Sequence, residues 1–213
     1  GVLLSLCMST SLYAADDVPE RPLPNYPHTR SVDLVEEQFG EKVADPYRWL
    51  ENDVRSDAEV SAWVGEQNGI TQAYLKTLPG RDVFAARLKK LFNFERMGNP
   101  RKAGERYFFT RNNGLQNQSV LMVQDGASGT ARVLIDPNQW AKDGATALAE
   151  WQPSGDGRYI AYAVQDGGTD WRTIRIVDAT TGEATADEIR WVKFSQIAWT
   201  NDHAGFFYSR FAE

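Results

Sequence analysis

The sequence predicts a mainly β protein: a partial β-propeller of two to three blades, preceded by an N-terminal helical segment. Helical spacing of apolar residues ends near Phe94. Beyond that point, short stretches of alternating apolar and polar residues are separated by glycine turns, which is the pattern of half-buried strands. Glycine-led apolar stretches begin at Gly104, Gly157 and Gly205, at steps of 53 and 48 residues. A step of about 50 residues that holds four short strands is typical of propeller blades.

Composition and charge argue against several kinds of partner and cofactor. The 213 residues include 29 Asp or Glu and 23 Lys or Arg, and the formal net charge is -6. This balance argues against a nucleic acid partner, because binding to phosphates relies on clustered Lys and Arg. Cys7 is the one cysteine, and the two histidines, His28 and His203, are far apart in the sequence. We therefore expect no intrachain disulfide, no metal site and no cofactor.

The N-terminus, residues 1–15, is predicted to be an incomplete signal peptide. It is apolar or small throughout, turns acidic immediately afterwards, and lacks a preceding positive charge. Cleavage is expected near Ala14 or Ala15, and the apolar run of roughly 13 residues is too short to span a bilayer. A periplasmic or secreted protein without membrane attachment is therefore expected. The alternatives are a buried N-terminal strand and a lipid anchor on Cys7.

The next residues are predicted to form an extended arm and a β-hairpin. Residues 16–30 contain four prolines and show no periodicity, which is typical of an extended segment. In the following stretch, "SVDLVEEQFGEKVADP", Gly40 marks a turn between two short strands.

Two helices are predicted before the first blade. Apolar residues recur at three- and four-residue steps over residues 56–78, and Ser56 and Glu59 fit a capping box at the start of this helix. Asp82 is predicted to cap the second helix. The apolar face of the second helix consists of Phe84, Leu88, Leu91 and Phe92.

The repeats then predict the strands of successive blades. The strands of the first blade are residues 106–112, 119–125 and 131–136. Those of the second are residues 147–152, 159–165, 173–178 and 188–192. A third blade begins with residues 196–200 and 205–210. Since propellers close with about four to eight blades, we expect the propeller to be truncated here. The alternative is that partner chains supply the remaining blades.

The residues themselves supply no complete catalytic set. There is no G-x-S-x-G nucleophile elbow, no P-loop and no G-x-G-x-x-G after a strand. His203 lies in "TNDHAG", which predicts a tight turn, and His28 lies in the proline-rich arm. We therefore expect a structural role for both histidines.

Several stretches, in consistent order from about Tyr26 to the end, resemble the prolyl oligopeptidase family. They are "DPYRWLEN" (45–52), "YFFTRNNGLQNQSVLMVQD" (107–125), "DPNQW" (136–140), "DGRYIAYAVQDGGTDWRTIRIVD" (156–178) and "VKFSQIAWTNDHAGFFYSRF" (192–211). The run "GLQNQSVL" is the more discriminating element, since "DPYRWLE" is shared with the related oligopeptidase that cleaves after basic residues.

The resemblance implies how the chain is divided into domains. In this family an N-terminal segment belongs to an α/β-hydrolase domain, a seven-bladed propeller follows, and the rest of the hydrolase carries the catalytic Ser, Asp and His. Residues 16–95 would then be the hydrolase segment, and residues 96–213 the start of the propeller. No catalytic residue can be assigned in this chain, which is expected to be inactive alone.

The function that the resemblance implies is that of a serine-type prolyl endopeptidase. The full-length enzyme would hydrolyse short peptides on the C-terminal side of proline by acyl transfer. Its propeller would restrict access to the catalytic cavity, and the enzyme would be a monomer.

One substrate-binding residue follows from the resemblance. Phe194 matches the phenylalanine of the family's "VKFS" stretch, which contributes an apolar contact to the distal subsite for the substrate. The alternative is an ordinary aromatic residue of a blade core. Asp170 and Trp171 match a family loop that faces the domain interface, and no role is assigned to them.

Two other functions remain open from the sequence. A non-catalytic propeller that acts as a binding module is one, although such a module has no need of the N-terminal helices. A related oligopeptidase with different specificity is the other, and the run "GLQNQSVLMVQD" favours proline specificity over it.

Overall fold

The computed structural model describes residues 24–212, which form two α-helices, two short 3-10 helices and thirteen strands. The predicted signal peptide, residues 1–15, lies outside the described residues. The chain divides into two units between Val83 and Phe84. The assignment of residues 16–95 and 96–213 to two domains stays a prediction.

The first unit begins with the predicted hairpin. Strands β1 (Val35–Gln38) and β2 (Glu41–Ala44) pair antiparallel. Phe39 and Gly40 connect them with φ of 55° and 85°. Two consecutive residues with positive φ form the tight turn whose twist matches that of the flanking strands. The prediction of a hairpin turning at Gly40 is confirmed.

The "DPYRWLEN" segment forms a 3-10 helix, Arg48–Glu51, that is attached to the hairpin by charged groups. The Arg48 guanidinium donates to the carboxylates of Glu36, at 2.6 Å, and Asp45, at 2.5 Å. The hydrogen bond from Arg48 lowers the pKa of Glu36. The indole Nε1 of Trp49 donates to the backbone oxygen of Arg30 at 2.9 Å. The aromatic residue therefore packs on the arm that precedes the hairpin.

The arm also contacts the first helix, α1 (Ala58–Thr77). The indole of Trp63 donates to the hydroxyl of Thr29 at 3.1 Å. Arg30 forms a bidentate ion pair with Glu59, at 2.6 and 2.9 Å. These bonds hold the described part of the predicted arm against the helix.

The predicted capping box of α1 is wrong. Asp57 is the N-cap, and its Oδ1 accepts the backbone N–H groups of Glu59 and Val60. The side chain of Ser56 instead donates to a backbone carbonyl three residues earlier. A carboxylate is favoured at this place because it accepts two free N–H groups near the positive end of the helix dipole. These hydrogen bonds, with one from Asn52, lower the pKa of Asp57.

The second helix, α2 (Arg81–Phe92), starts two residues earlier than a cap at Asp82 predicts. Asp82 lies in its first turn rather than at the cap, because the backbone N–H of Arg81 already bonds to Leu78. The predicted apolar face of this helix is exposed in the described chain: Phe84, Leu88, Leu91 and Phe92.

The second unit contains a first antiparallel sheet of five strands. They are β3 (Arg96–Met97), β4 (Arg101–Ala103), β5 (Arg106–Asn112), β6 (Val120–Asp125) and β7 (Arg132–Ile135). The short strands β3 and β4 pair with opposite ends of β5. The three predicted strands are present, but β3 and β4 were missed because two or three residues show no alternation.

A second sheet and a hairpin follow. The second sheet has the order β11-β10-β9-β8, with neighbours antiparallel. Its strands are β8 (Ala147–Pro153), β9 (Tyr159–Gln165), β10 (Arg172–Asp178) and β11 (Ala184–Val192). Strands β12 (Ala198–Trp199) and β13 (Phe206–Phe207) pair next. They are shorter than predicted.

The second sheet is covered on both faces, as a propeller blade must be. Ile160 and Tyr162 on β9 pack in one cluster with Phe108 of the first sheet. Ala161 and Ala163, which alternate with them, pack in another cluster that includes the aromatic rings of the hairpin β12–β13. Alternation along one strand therefore supplies both inter-sheet cores. The mainly β fold is confirmed, and the total number of blades stays a prediction.

Two turns, one from each of the first two sheets, approach each other so closely that no side chain would fit between them. The backbone N–H of Gly104 bonds to the oxygen of Gly155 at 3.0 Å. Both Gly104 and Gly157 have positive φ, and a Cβ on either would lie under 3.0 Å from a backbone oxygen of the opposite turn. Glycine at these two repeat positions is therefore required by the packing of one sheet on the next.

Candidate substrate-contacting surface around Phe194

Phe194 lies in the short connection between β11 and β12. Its neighbours Val192 and Ser195 are buried, and the Ser195 hydroxyl accepts the backbone N–H of Ser209 at 2.8 Å. Phe194 itself has a φ of 53° and is 74% exposed. The buried flanking residues fix the backbone while the phenylalanine side chain stands out from it. Within residues 24–212 the ring of Phe194 lies outside the buried clusters, and the choice between a substrate contact and a blade-core aromatic stays a prediction.

Two tryptophans lie beside this connection because of the strand register. Strand β10 begins and strand β11 ends at the antiparallel pair Arg172–Val192, so Trp171 and Trp191 are each next to one member of the same pair. Their rings meet edge to face, with centroids 5.7 Å apart. This arrangement is favourable because the positive ring edge points at the negative face. Trp191 also has a positive φ, of 62°.

A lysine connects the tryptophans to Phe194. The ammonium of Lys193 lies 5.2 Å from the ring centroids of both Trp171 and Phe194. It also lies 3.5 Å from a carboxylate oxygen of Asp170. Phe211 packs edge-on against Trp171, with centroids 5.7 Å apart. We define these six residues as the Phe194 surface: Asp170, Trp171, Trp191, Lys193, Phe194 and Phe211.

The chemistry of the Phe194 surface suits contact with an apolar group. Exposed aromatic rings offer large apolar area, and a cation that is already paired adds little net charge. Two non-glycine residues with left-handed backbone, Trp191 and Phe194, lie within four positions of each other. Such residues cost about 1–3 kcal/mol each and are found preferentially at functional sites.

A groove of about 790 Å³ lies along the edge strand β8 and strand β12 of the hairpin, and none of the six residues of the Phe194 surface lines it. Glu150 on β8 accepts the backbone N–H of Ile197 at 3.1 Å, and its other oxygen lies 3.8 Å from the guanidinium of Arg172. Arg101 lies over the ring of Trp151, 4.5 Å from the centroid. Polar groups that line the groove are therefore engaged in joining neighbouring strands.

His203 lies in the predicted turn, with a φ of 60°, and its Nδ1 is buried without a hydrogen-bond partner in the described chain. Ser154 and Asp156 lie in the neighbouring turn. The Ser154 hydroxyl donates to Asp156 at 2.6 Å and accepts the backbone N–H of Tyr159. The hydrogen bond from Ser154 lowers the pKa of Asp156. A catalytic serine instead donates to the histidine and is accessible, whereas Ser154 and Asp156 bond within their own turn.

Other kinds of site receive no support from residues 24–212. No group of three or more His, Cys, Asp or Glu side chains in this range is arranged to hold a metal ion. Within the same range, neither helix is long and apolar enough to cross a membrane. His28 is exposed on the arm.

The sequence predicted Phe194 as a substrate contact and matched Asp170 and Trp171 to a family loop, but it did not indicate Lys193 or Trp191. Both lie in the matched "VKFS" neighbourhood, so their position was visible. Their contacts were not, because these depend on the pairing of β10 with β11 across about twenty residues. The substrate contact of Phe194 itself stays a prediction.

Comparison with known proteins places this geometry in a family. The family model for the N-terminal β-propeller domain of prolyl oligopeptidase matches residues 26–213. The chain is 38% identical over 208 residues to a prolyl endopeptidase of Elizabethkingia meningoseptica. This alignment covers 98% of this chain and 29% of the relative. The chain is 32% identical over 213 residues to a dual function macrocyclase-peptidase of Galerina marginata, covering 88% of this chain and 29% of the relative.

Solved structures agree with these sequence matches. A structure from a study of two prolyl endopeptidases superposes with a TM-score of 0.76 at 36% identity, and covers 87% of this chain and 27% of that one. Prolyl oligopeptidase B from Galerina marginata, bound to a 35mer hydrolysis and macrocyclization substrate, gives a TM-score of 0.70 at 31% identity. That match covers 88% of this chain and 30% of the other. The chain spans 29% of the length of the two curated relatives described above. It belongs to the prolyl oligopeptidase family, as the N-terminal β-propeller portion.

Proposed function

We propose that this chain is the N-terminal part of a serine-type, proline-specific endopeptidase that hydrolyses short peptides on the C-terminal side of proline. The observation that carries the proposal is the match to prolyl endopeptidase, at 38% identity over 98% of the chain. The catalytic serine, with histidine as general base and aspartate as its orienting partner, would lie in the remainder of the full-length enzyme. The present residues would supply access control and part of the peptide-binding surface.

The N-terminal helices are proposed to belong to an α/β-hydrolase domain. Support comes from α2, whose apolar residues Phe84 and Phe92 are 70% and 56% exposed. Contiguous exposed apolar surface of this kind usually indicates that another surface covers it. The remainder of a hydrolase domain is a suitable cover, since the relatives are more than three times as long as the matched segment.

The strands from β3 onward are proposed to begin a seven-bladed propeller that gates the catalytic cavity. The two sheets pack on each other, and the hairpin β12–β13 packs on the other face of the second sheet. This stacking supports a ring built from such units. A ring that covers a cavity admits short peptides more readily than folded proteins. Phe194 is proposed to contact the substrate residue two places before the proline. The full-length enzyme is proposed to act as a monomer.

The function is tested with the full-length protein and a reporter that is cleaved after Gly-Pro. We expect hydrolysis by the full-length protein, and none by the purified 213-residue chain. A second reporter, with arginine in place of proline, tests the related specificity. Faster cleavage after arginine would contradict proline specificity. Failure of the full-length protein to cleave either reporter would favour a non-catalytic binding module.

Export to the periplasm or secretion is proposed from the apolar character of residues 1–15. N-terminal sequencing of protein recovered from outside the cytoplasm is expected to find a start just after Ala14 or Ala15. Recovery of the protein from the cytoplasm alone, with the apolar segment still attached, would contradict the proposal.

A further inference from the structure

The backbone alone does not determine where the ring of Phe194 points. The residue is 74% exposed, so few packing contacts restrict its side-chain torsions. An exposed phenylalanine that samples several rotamers must lose that freedom when a ligand binds, which weakens binding. For a substrate contact, a group that orders the ring beforehand is therefore an advantage.

Lys193 is placed to order this ring. Its ammonium lies 5.2 Å from the Phe194 centroid, within the distance at which a cation is attracted to the face of an aromatic ring. Among the ring and cation contacts described for residues 24–212, this is the one that involves Phe194. The two residues are adjacent in sequence, so the attraction requires no long-range closure.

Lys193 is itself held from the other side. The same ammonium lies 5.2 Å from the Trp171 centroid and 3.5 Å from Asp170 Oδ2. Trp171 is packed edge to face between Trp191 and Phe211. The lysine is thus fixed by a carboxylate and by an aromatic ring that is itself packed on two sides.

We propose that Lys193 is a positioning residue, which transmits the fixed position of Trp171 to the ring of Phe194 and so prepares the distal subsite for a bulky apolar substrate residue. This rests on the proposed function, in which Phe194 contacts the residue two places before the proline. Lys193 acts through Phe194 and not by its own contact with the substrate. Its effect should therefore vanish when Phe194 is absent.

A double-mutant cycle in the full-length protein tests this dependence. The variants are Lys193→Met, Phe194→Ala and their combination, assayed with a peptide that carries phenylalanine two places before proline. Methionine keeps an unbranched, apolar side chain and removes the charge. We expect Lys193→Met to raise KM about three-fold with kcat unchanged, because it removes an attraction of modest strength that acts on binding alone. In the Phe194→Ala background we expect no further change.

Controls separate positioning from general stability. Lys193→Arg keeps the cation and is expected to retain the original KM. Lys142→Met makes the same change at an exposed lysine in the loop before β8 and is expected to leave KM unchanged. The short Gly-Pro reporter, which does not reach the distal subsite, should be cleaved equally by the Lys193→Met variant and the unaltered protein.

The outcomes distinguish this proposal from the proposed function. If the unaltered protein does not cleave the Gly-Pro reporter, the proposed function fails, and the role of Lys193 fails with it. If the reporter is cleaved but Lys193→Met raises KM for the long peptide equally with and without Phe194, the positioning role of Lys193 is contradicted and the proposed function stands. An unchanged KM for the long peptide in Lys193→Met would contradict it too.

Discussion

Replacement of Gly104 by alanine is expected to reduce the free energy of unfolding by roughly 3 kcal/mol. Gly104 has a φ of 54°, in the region where a side chain is strained. A Cβ there would also lie under 3.0 Å from the backbone oxygen of Asp156, in the turn between β8 and β9. The opposing atom belongs to the backbone, so a rotamer change cannot relieve the overlap. Either the two turns separate or the hydrogen bond from Gly104 to Gly155 is lost.

Gly182→Ala is the matched control for this substitution. Gly182 has a φ of 79°, and nothing lies within 4 Å of a Cβ built there. It therefore carries the backbone strain without the overlap, and roughly 1 kcal/mol of destabilisation is expected. Denaturant unfolding of the two variants in the full-length protein, followed by tryptophan fluorescence, measures the difference. If both variants lose the same free energy of unfolding, the close approach of Gly104 to the turn of Asp156 is contradicted.

Phe194→Ala is expected to lower kcat/KM about ten-fold for peptides with a bulky residue two places before the proline. The exposed ring offers apolar area that a bulky substrate residue would cover, and alanine removes nearly all of it. The Gly-Pro reporter should be affected much less, since it lacks that residue. Steady-state kinetics with the two substrates, on the same enzyme preparations, gives the ratio that decides the role.

Phe39→Ala controls for the loss of an exposed phenylalanine in left-handed backbone. Phe39 has a φ of 55°, close to the 53° of Phe194, and its side chain is fully exposed at the tip of the hairpin. Its replacement should leave both substrates unaffected. If Phe194→Ala slows the reporter and the long peptide equally, the phenylalanine has a structural role and the proposed substrate contact is wrong.

Local patterns were sufficient for much of the fold. The hairpin at Gly40 was predicted because two short strands and a glycine turn are encoded within about ten adjacent residues. Strand β9 (Tyr159–Gln165) was predicted with the bounds that the structure has, because a continuous apolar run rich in aromatic and β-branched residues and bounded by turn residues is a strong signal for a buried strand. The α1 cap was misassigned because Ser56 and Asp57 are both good capping residues. Their order along the chain does not reveal whether the Ser56 hydroxyl or the Asp57 carboxylate accepts the free N–H groups of the helix.

The Phe194 surface shows where local patterns end. The family resemblance identified Phe194, but the exposure of its ring depends on the burial of Val192 and Ser195 on either side. The approach of Lys193 to Trp171 depends on the register of β10 against β11, which includes irregularities between the paired residues. A shift of one residue would turn Trp191 to the opposite face of the sheet.

Four properties could be predicted without coordinates: the class of fold, the repeat of about 50 residues, the family, and the residue types available at each turn. These are consequences of local periodicity, turn chemistry and ordered motifs. Three-dimensional packing determines which residues from different turns and strands meet: Gly104 with the turn of Asp156, and Lys193 with Trp171 and Phe194. Such contacts depend on strand register and on the stacking of one sheet upon the next, which are settled by packing over the whole unit rather than by any single stretch of sequence.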